Sequence, residues 1–349
     1  MLKAGHTPLR ARDLGLACGS LPPGSGNRIT DVPGVLVGHT TIAEGDLRTG
    51  VTAIIPHAGN VFRDKPIAAA DVLNGFGKSI GLMQVEELGQ LETPILLTNT
   101  LSVGTCGTAL IRRAIAANPD IGRATSTVNP VVGECNDGYL NDIQALAVTE
   151  AHAFAALDAA AEGFASGAVG AGAGMSCFGF KGGIGTASRR VEIDGAGCHV
   201  GVLLLANFGR AGDLRLPDGR RVAPQRAATP PERGSVIVVV ATDIPLDHRQ
   251  LRRSIRRAGA GLAWAGSFWG HGSGDLAIGF TTANRIDHDA ADDTRNIRIL
   301  NENRIDLVFQ AVAEATQEAV MDALAGADTT RGRAGHRRLG LRHALGSSS

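Results

Sequence analysis

Apolar residues come in two spacings along this chain. Short unbroken runs at residues 35–42, 51–56, 94–100, 199–207, 236–243 and 275–280 predict strands. Helical spacing predicts four helices. One is entered through Gly104 and carries Leu110, Ile111, Ala114 and Ile115, and an Ala-rich one spans 149–163. The others span 246–260 and 307–324, the last with Val308, Val312, Ala315 and Val320 on one face. The runs at 199–207 and 236–243 are apolar at almost every position, as in strands covered on both faces. Helices interleaved with such strands predict a layered α/β architecture in a single domain. No internal repeat interrupts it, and residues 328–349 read as a weakly ordered tail.

Composition changes this picture in three places. Glycine accounts for 47 of 349 residues, nearly twice the usual share. These glycines sit inside apolar segments, which points to tight turns and close backbone packing. Charges balance, with 34 Lys and Arg against 34 Asp and Glu, so no net field draws the chain to nucleic acid or an anionic membrane. The arginines at 249, 252, 253, 256 and 257 and the basic stretch 331–342 are read as solvated or subunit-contact surfaces. Cys18, Cys106, Cys135, Cys177 and Cys198 have neither disulfide-scaffold nor zinc spacing. The first ten residues lack the apolar core of a signal peptide, and no apolar run reaches membrane-spanning length. A cytoplasmic protein is expected.

The candidate chemistry sits where polarity changes abruptly. Residues 209–234 hold four prolines and six arginines and read as a surface loop that tolerates cleavage. This stretch stops at Gly234-Ser235, and the strand 236–243 begins at once. A Gly-Ser pair before a strand is an ordinary turn. Cut between the two residues, however, it would give Ser235 a free α-amine beside its hydroxyl. One residue would then supply nucleophile and base. An α-amine titrates at about 7.7–8.0, so part of it is neutral at working pH.

Several long blocks, in order, resemble the DmpA-type aminopeptidases, a group comprising L-aminopeptidase/D-esterase/amidases and β-peptidyl aminopeptidases. They are Ile29-Thr30-Asp31-Val32-Pro33-Gly34, Asn99-Thr100-Leu101-Ser102-Val103-Gly104, Glu134-Cys135-Asn136-Asp137-Gly138-Tyr139, Gly174-Met175-Ser176-Cys177-Phe178-Gly179-Phe180-Lys181, Gly234-Ser235 and Gly272-Ser273-Gly274-Asp275. The resemblance implies a precursor that cuts itself before Ser235 into chains 1–234 and 235–349. It also implies a four-layer αββα sandwich like that of N-terminal-nucleophile hydrolases. The expected substrates are short peptides, amino-acid amides or esters, handled without a metal or other cofactor. A homo-oligomer, a tetramer of processed heterodimers, is expected as well.

By the same resemblance Ser273 and Asp275 would bond Ser235 Oγ and its amine. Tyr139, the chain's single tyrosine, would serve the oxyanion or leaving group, and the side-chain amide of Asn207 would serve the oxyanion. Taken alone, Ser273-Gly274-Asp275 is a turn opening a strand, Tyr139 an edge-of-core residue and Asn207 a strand-ending turn residue. Other motifs carry less. Gly183-Ile184-Gly185-Thr186-Ala187-Ser188 only approximates a dinucleotide fingerprint. Ser176 and Cys177 lack a nucleophile elbow and read as packing residues. His271 alternates with Ser273 and Asp275 without forming a triad, and reads as structural or substrate-lining. Two rival functions stay open: an acyltransferase on the related fold, of the ornithine-acetyltransferase kind, and a binding protein that never processes.

Overall fold

The computed structural model describes residues 9–224 and 234–345. Glu232 and Arg233 before the Gly-Ser pair, the opening residues 1–8 and residues 346–349 lie outside the described residues. In chain order the first half contains β1 (Leu36–Ile42), β2 (Thr49–Ile55), β3 (Asp64–Gly75), α1 (Leu82–Leu88), β4 (Ile95–Asn99), α2 (Val103–Ala117), β5 (Val131–Cys135) and α3 (Glu150–Asp158). There follow β6 (Ser176–Cys177), β7 (Phe180–Lys181), β8 (Gly183–Ile193), β9 (Ala196–Asn207), β10 (Ser235–Thr242), α4 (His248–Ile255), α5 (Ala258–Trp264), β11 (Gly274–Asp287) and α6 (Ile305–Ala325). The chain closes with β12 (Thr330–Arg331), β13 (Arg337–Arg338) and α7 (Arg342–Leu345).

Two sheets dominate, one in the order β1-β2-β4-β5 and one in the order β3-β11-β10-β9-β8. The run 236–243 explains their stacking. Val236, Val238 and Val240 pack with residues of α4, α5 and α6, while Ile237, Val239 and Ala241 pack against Ile54, Ile95, Leu97 and Val131 of the other sheet. Each fully buried aliphatic side chain of this kind contributes about 1.5–3 kcal/mol. The outer face of the four-stranded sheet is covered by α2 and α3 through Cys106, Leu110, Ala153 and Leu157. The layers are therefore αββα, as the resemblance implied.

The structure departs from the sequence reading in four segments. The helix expected at 246–260 is two, α4 and α5. The second lies so close to α6 that a Cβ on Gly261 would meet Ala313 O at 2.3 Å. The Ala-rich helix stops at Asp158, because Ala161 exchanges backbone hydrogen bonds with Val37. The loop after β9 is anchored rather than merely superficial: Leu214 and Leu216 are buried, and the Arg215 N–H donates to Ala265 O at 3.0 Å. The tail expected to be weakly ordered from residue 328 instead pairs β12 with β13 and buries Leu341. Its Arg333 N–H donates to Leu140 O at 2.8 Å, so backbone groups far apart in sequence give it partners.

The arginines of α4 find acids within the chain. Arg249 and Arg253 pair with Glu302, and Arg252 and Arg256 with Asp71. Arg257 lies 3.8 Å from the Phe309 ring centroid. Arg252 also reaches Glu86, and with three carboxylates to five arginines the face keeps a net positive charge. The glycines at 183 and 185 belong to strand β8, with no helix after them, so the dinucleotide reading fails on context. No helix among the described residues is long and apolar enough to cross a membrane.

Candidate active site

β10 is the central strand of the five-stranded sheet, and its first residue is Ser235. It runs parallel to β11 and antiparallel to β9, so Ser235 stands opposite Gly274 on one side and Asn207 on the other. Residues far apart in sequence thus meet at one sheet end. Ser235 Oγ donates to its own preceding carbonyl, Gly234 O, at 2.6 Å. The N–H of Gly274 donates to Gly234 O at 3.1 Å and to Ser235 Oγ at 3.3 Å. Glycine is required on both sides of this contact. A Cβ on Gly234 would meet Asn207 O at 2.3 Å, and one on Gly274 would meet Phe76 O at 2.8 Å.

Ser273 and Asp275 flank that amide and are buried. Ser273 Oγ donates to Asp275 Oδ1 at 2.7 Å. The carbonyl of Ser273 accepts from Asn74 Nδ2 and, at 3.3 Å, from the Phe76 N–H. In the uncut chain the hydrogen bond that reaches Ser235 Oγ from this segment therefore comes from the Gly274 amide between the two side chains.

Asn207, at the end of β9, is also buried. Its Oδ1 accepts from the Ser176 N–H at 2.9 Å and its Nδ2 donates to Asn136 O at 2.9 Å. Both ends of the amide are fixed, and one Nδ2 hydrogen remains beyond that bond. Tyr139 is 39% exposed and packs against the tail. Its ring stacks on His336 with centroids 4.6 Å apart, and the Arg338 guanidinium lies 3.7 Å from its centroid. Ser176 Oγ accepts from Arg338 Nε at 3.1 Å, and Cys177 is buried.

A cavity of about 720 Å³ opens on Ser235 and Gly234. Phe76 and Phe268 wall it, His271 and the backbone at 270–272 line it, and Lys78, Thr100, Glu134 and Asn136 complete one side. Tyr139 does not line it. Among the described residues Glu134 is the acid of this lining, and its carboxylate accepts from the Lys78 N–H at 2.8 Å and from Thr100 Oγ. In the sequence Glu134 stands only inside the block 134–139 that carries the resemblance and is given no role, and the strand that holds it, β5, is not among those expected. Among the described residues no group of three or more His, Cys, Asp or Glu could hold a metal ion.

Below the site lie two buried groups of opposite charge. Burial pushes the Asp137 carboxyl up to about 7, against hydrogen bonds from Thr49 and Asn141. Burial likewise pushes the Lys181 ammonium down to about 7.

Known proteins resemble this chain over nearly its whole length. Residues 27–338 match the model of peptidase family S58. The chain is 39% identical to the beta-peptidyl aminopeptidase BapA of Sphingosinicella microcystinivorans, covering 96% of this chain and 90% of that protein. The Burkholderia sp. beta-aminopeptidase superposes with a TM-score of 0.88 at 41% identity, over 95% of this chain and 96% of that one. The L-aminopeptidase D-Ala-esterase/amidase of Ochrobactrum anthropi, described as a prototype serine aminopeptidase and a variant of the Ntn hydrolase fold, superposes with a TM-score of 0.88 at 36% identity. It covers 96% of this chain and 98% of that one. With the sheet order, the Gly-Ser junction and this cover taken together, the chain belongs to peptidase family S58 and has the N-terminal-nucleophile hydrolase fold.

Proposed function

We propose that this chain cuts itself between Gly234 and Ser235 and then works as an aminopeptidase through the freed Ser235. Family membership makes it a serine aminopeptidase/amidase, and the proposal concerns which groups act. The observation that carries it is the pair of contacts made by one amide: the Gly274 N–H reaches both the carbonyl that would be attacked and the hydroxyl that would attack it. In self-cleavage Ser235 Oγ adds to the Gly234 carbonyl carbon, and the Gly274 N–H holds the oxyanion. The C–N bond breaks as its nitrogen takes the hydroxyl proton, and water hydrolyses the resulting ester. Ser235 is left with a free amine.

In turnover that amine takes the proton of Oγ as Oγ attacks the substrate carbonyl, and passes it to the leaving amine. Asn207 Nδ2 and the Gly274 N–H serve the oxyanion. The Ser273–Asp275 pair orients the amine and stabilises its protonated form. Glu134 receives the substrate's own α- or β-ammonium, which restricts the enzyme to N-terminal residues. Tyr139 is given no step, because it does not line the cavity. The substrates are short peptides, amides or esters, including β-peptides, since the curated relatives carry that name. A cytoplasmic homo-oligomer, a tetramer of processed heterodimers, completes the proposal.

The test is intact mass under denaturing conditions, for wild type and Ser235→Ala. Fragments of 234 and 115 residues from wild type alone support the assignment. An uncut wild type that is folded overturns it and favours the non-processing binding protein.

A further inference from the structure

Asn207 is held from two sides by backbone groups, and behind each side stands a buried ionisable side chain. On one side the Ser176 N–H fixes Asn207 Oδ1. Ser176 follows Met175, whose carbonyl accepts from Lys181 Nζ at 3.0 Å. The same ammonium donates to Gly172 O at 2.8 Å and to Gly182 O at 2.9 Å. Lys181 has no exposed surface, and as an ammonium its three hydrogens match these three carbonyls, while the neutral amine that gains weight above about 7 serves two. On the other side Asn136 O fixes Asn207 Nδ2, and Asn136 precedes Asp137. Asp137 accepts from Asn141 Nδ2 at 3.0 Å, and its carbonyl accepts the N–H groups of Leu140 and Asn141. The turn at 170–174 is wedged between the two: a Cβ on Gly174 would lie 2.8 Å from the Asp137 Cβ.

We propose that Lys181 and Asp137 are positioning residues for Asn207, the buried ammonium gathering the carbonyls of Gly172, Met175 and Gly182 so that Ser176 and Asn136 clamp the Asn207 amide. The inference rests on the oxyanion role given to Asn207 above. A lysine with no exposed surface is expensive, and a hydrophobic residue would fill the same space more cheaply. What the ammonium does that an apolar side chain cannot is pull three carbonyl oxygens to one point. Released, those carbonyls would turn away, and the Ser176 N–H would move with them. A misplacement of about 1 Å in a group supporting the reacting centre costs roughly 100-fold in rate. Loss of a single oxyanion donor costs roughly 100- to 1,000-fold. Removing Lys181 should therefore lower kcat by about 10- to 100-fold while KM changes by less than about 3-fold, since the cavity walls stay in place.

A double-mutant cycle between Lys181→Met and Asn207→Ala tests this, with kcat and KM read on an aminoacyl anilide. Each variant is first checked for its β fragment by intact mass, and kcat is expressed per processed chain. Coupling is the expected result: Lys181→Met costs about 10- to 100-fold in wild type and less than about 3-fold when Asn207 is already Ala. Factors that multiply would overturn the proposal, because Lys181 would then act without Asn207. If Lys181→Met does not fold, the same cycle is run with Asp137→Asn, which keeps the shape and removes the charge. Full kcat in Asn207→Ala alone would instead sink the oxyanion role of Asn207, a failure distinct from that of the clamp.

Discussion

The N–H of Gly274 points at the carbonyl oxygen of Gly234 across 3.1 Å, joining the start of β11 to the peptide bond that precedes β10. The contact is a rung of the parallel β10–β11 ladder, so the sheet that builds the core also aims the donor. Ser235 Oγ sits 2.6 Å from the same oxygen. In the proposed self-cleavage, this register aims both hydroxyl and donor before any terminal amine exists.

This register depends on a missing side chain. Gly234→Ala would place a methyl group 2.3 Å from Asn207 O and 2.6 Å from Phe208 Cα, both backbone atoms that cannot swing aside. Overpacking of this sort costs about 1–3 kcal/mol, and relief must come from moving residue 234 away from the Gly274 amide. Self-cleavage of Gly234→Ala should slow by at least about 10-fold, with uncut chain accumulating in a mass time course. Cleavage at the wild-type rate would mean that the ladder contact is not what prepares the bond.

The two long apolar runs were legible as doubly covered strands because successive aliphatic positions pack on opposite faces, Val238 toward the helices and Val239 toward the second sheet. Gly234, Ser235, Ser273 and Asp275 could be found in the sequence because the blocks that hold them resemble the family; taken alone, each pair reads as a turn. The Gly274 amide could not, since a backbone N–H carries no mark of its own. Lys181 was hidden for the opposite reason. Its residue type belongs on surfaces, and only the folded turn brings three carbonyls to it. Tyr139 is expected, by the resemblance, to serve the oxyanion or leaving group, yet His336 and Arg338, from a tail expected to be loose, pack on it.

Glu134 gives the proposed amino-terminal specificity a direct test. Its carboxylate is buried and already holds the Lys78 N–H and Thr100 Oγ. Glu134→Gln keeps the shape and removes the charge that would meet a substrate ammonium. Losing one partner of a buried charge pair costs about 2–5 kcal/mol. KM for free aminoacyl anilides should rise by roughly 30-fold or more, with kcat changed much less. A variant with unchanged KM would show that the ammonium is bound elsewhere.

Arg189 ties the N-terminal segment to β8 and α6. Fully buried, it donates to Glu314 Oε2 at 3.1 Å, to Glu318 Oε2 at 2.9 Å and to Cys18 O at 2.5 Å. Arg189→Met would leave Glu314 without its cation and Glu318 with Arg12 alone, a loss worth about 3–5 kcal/mol. The urea midpoint should fall accordingly, while kcat of the folded fraction stays near wild type. Adding Glu318→Gln to Arg189→Met should recover part of the loss. A midpoint within error of wild type would deny the network its structural role.

Asp137 and Lys181 give the stability of the chain a pH dependence with a definite sign. Burial raises the folded-state carboxyl of Asp137 from 3.8 to about 7. Between those values the folded chain holds a proton that the unfolded chain has lost, so this group's contribution to stability falls as pH rises from about 4 to 7. Burial lowers Lys181 from 10.5 to about 7. There the unfolded chain holds the extra proton, and stability rises as pH goes from about 7 to 10.5. Urea midpoints followed across pH should show wild type losing ground to Asp137→Asn over the first window. Over the second, wild type should gain ground on Lys181→Met. Parallel curves in either window would mean that the group concerned keeps an ordinary proton affinity in the folded chain, and that its burial is relieved by a partner.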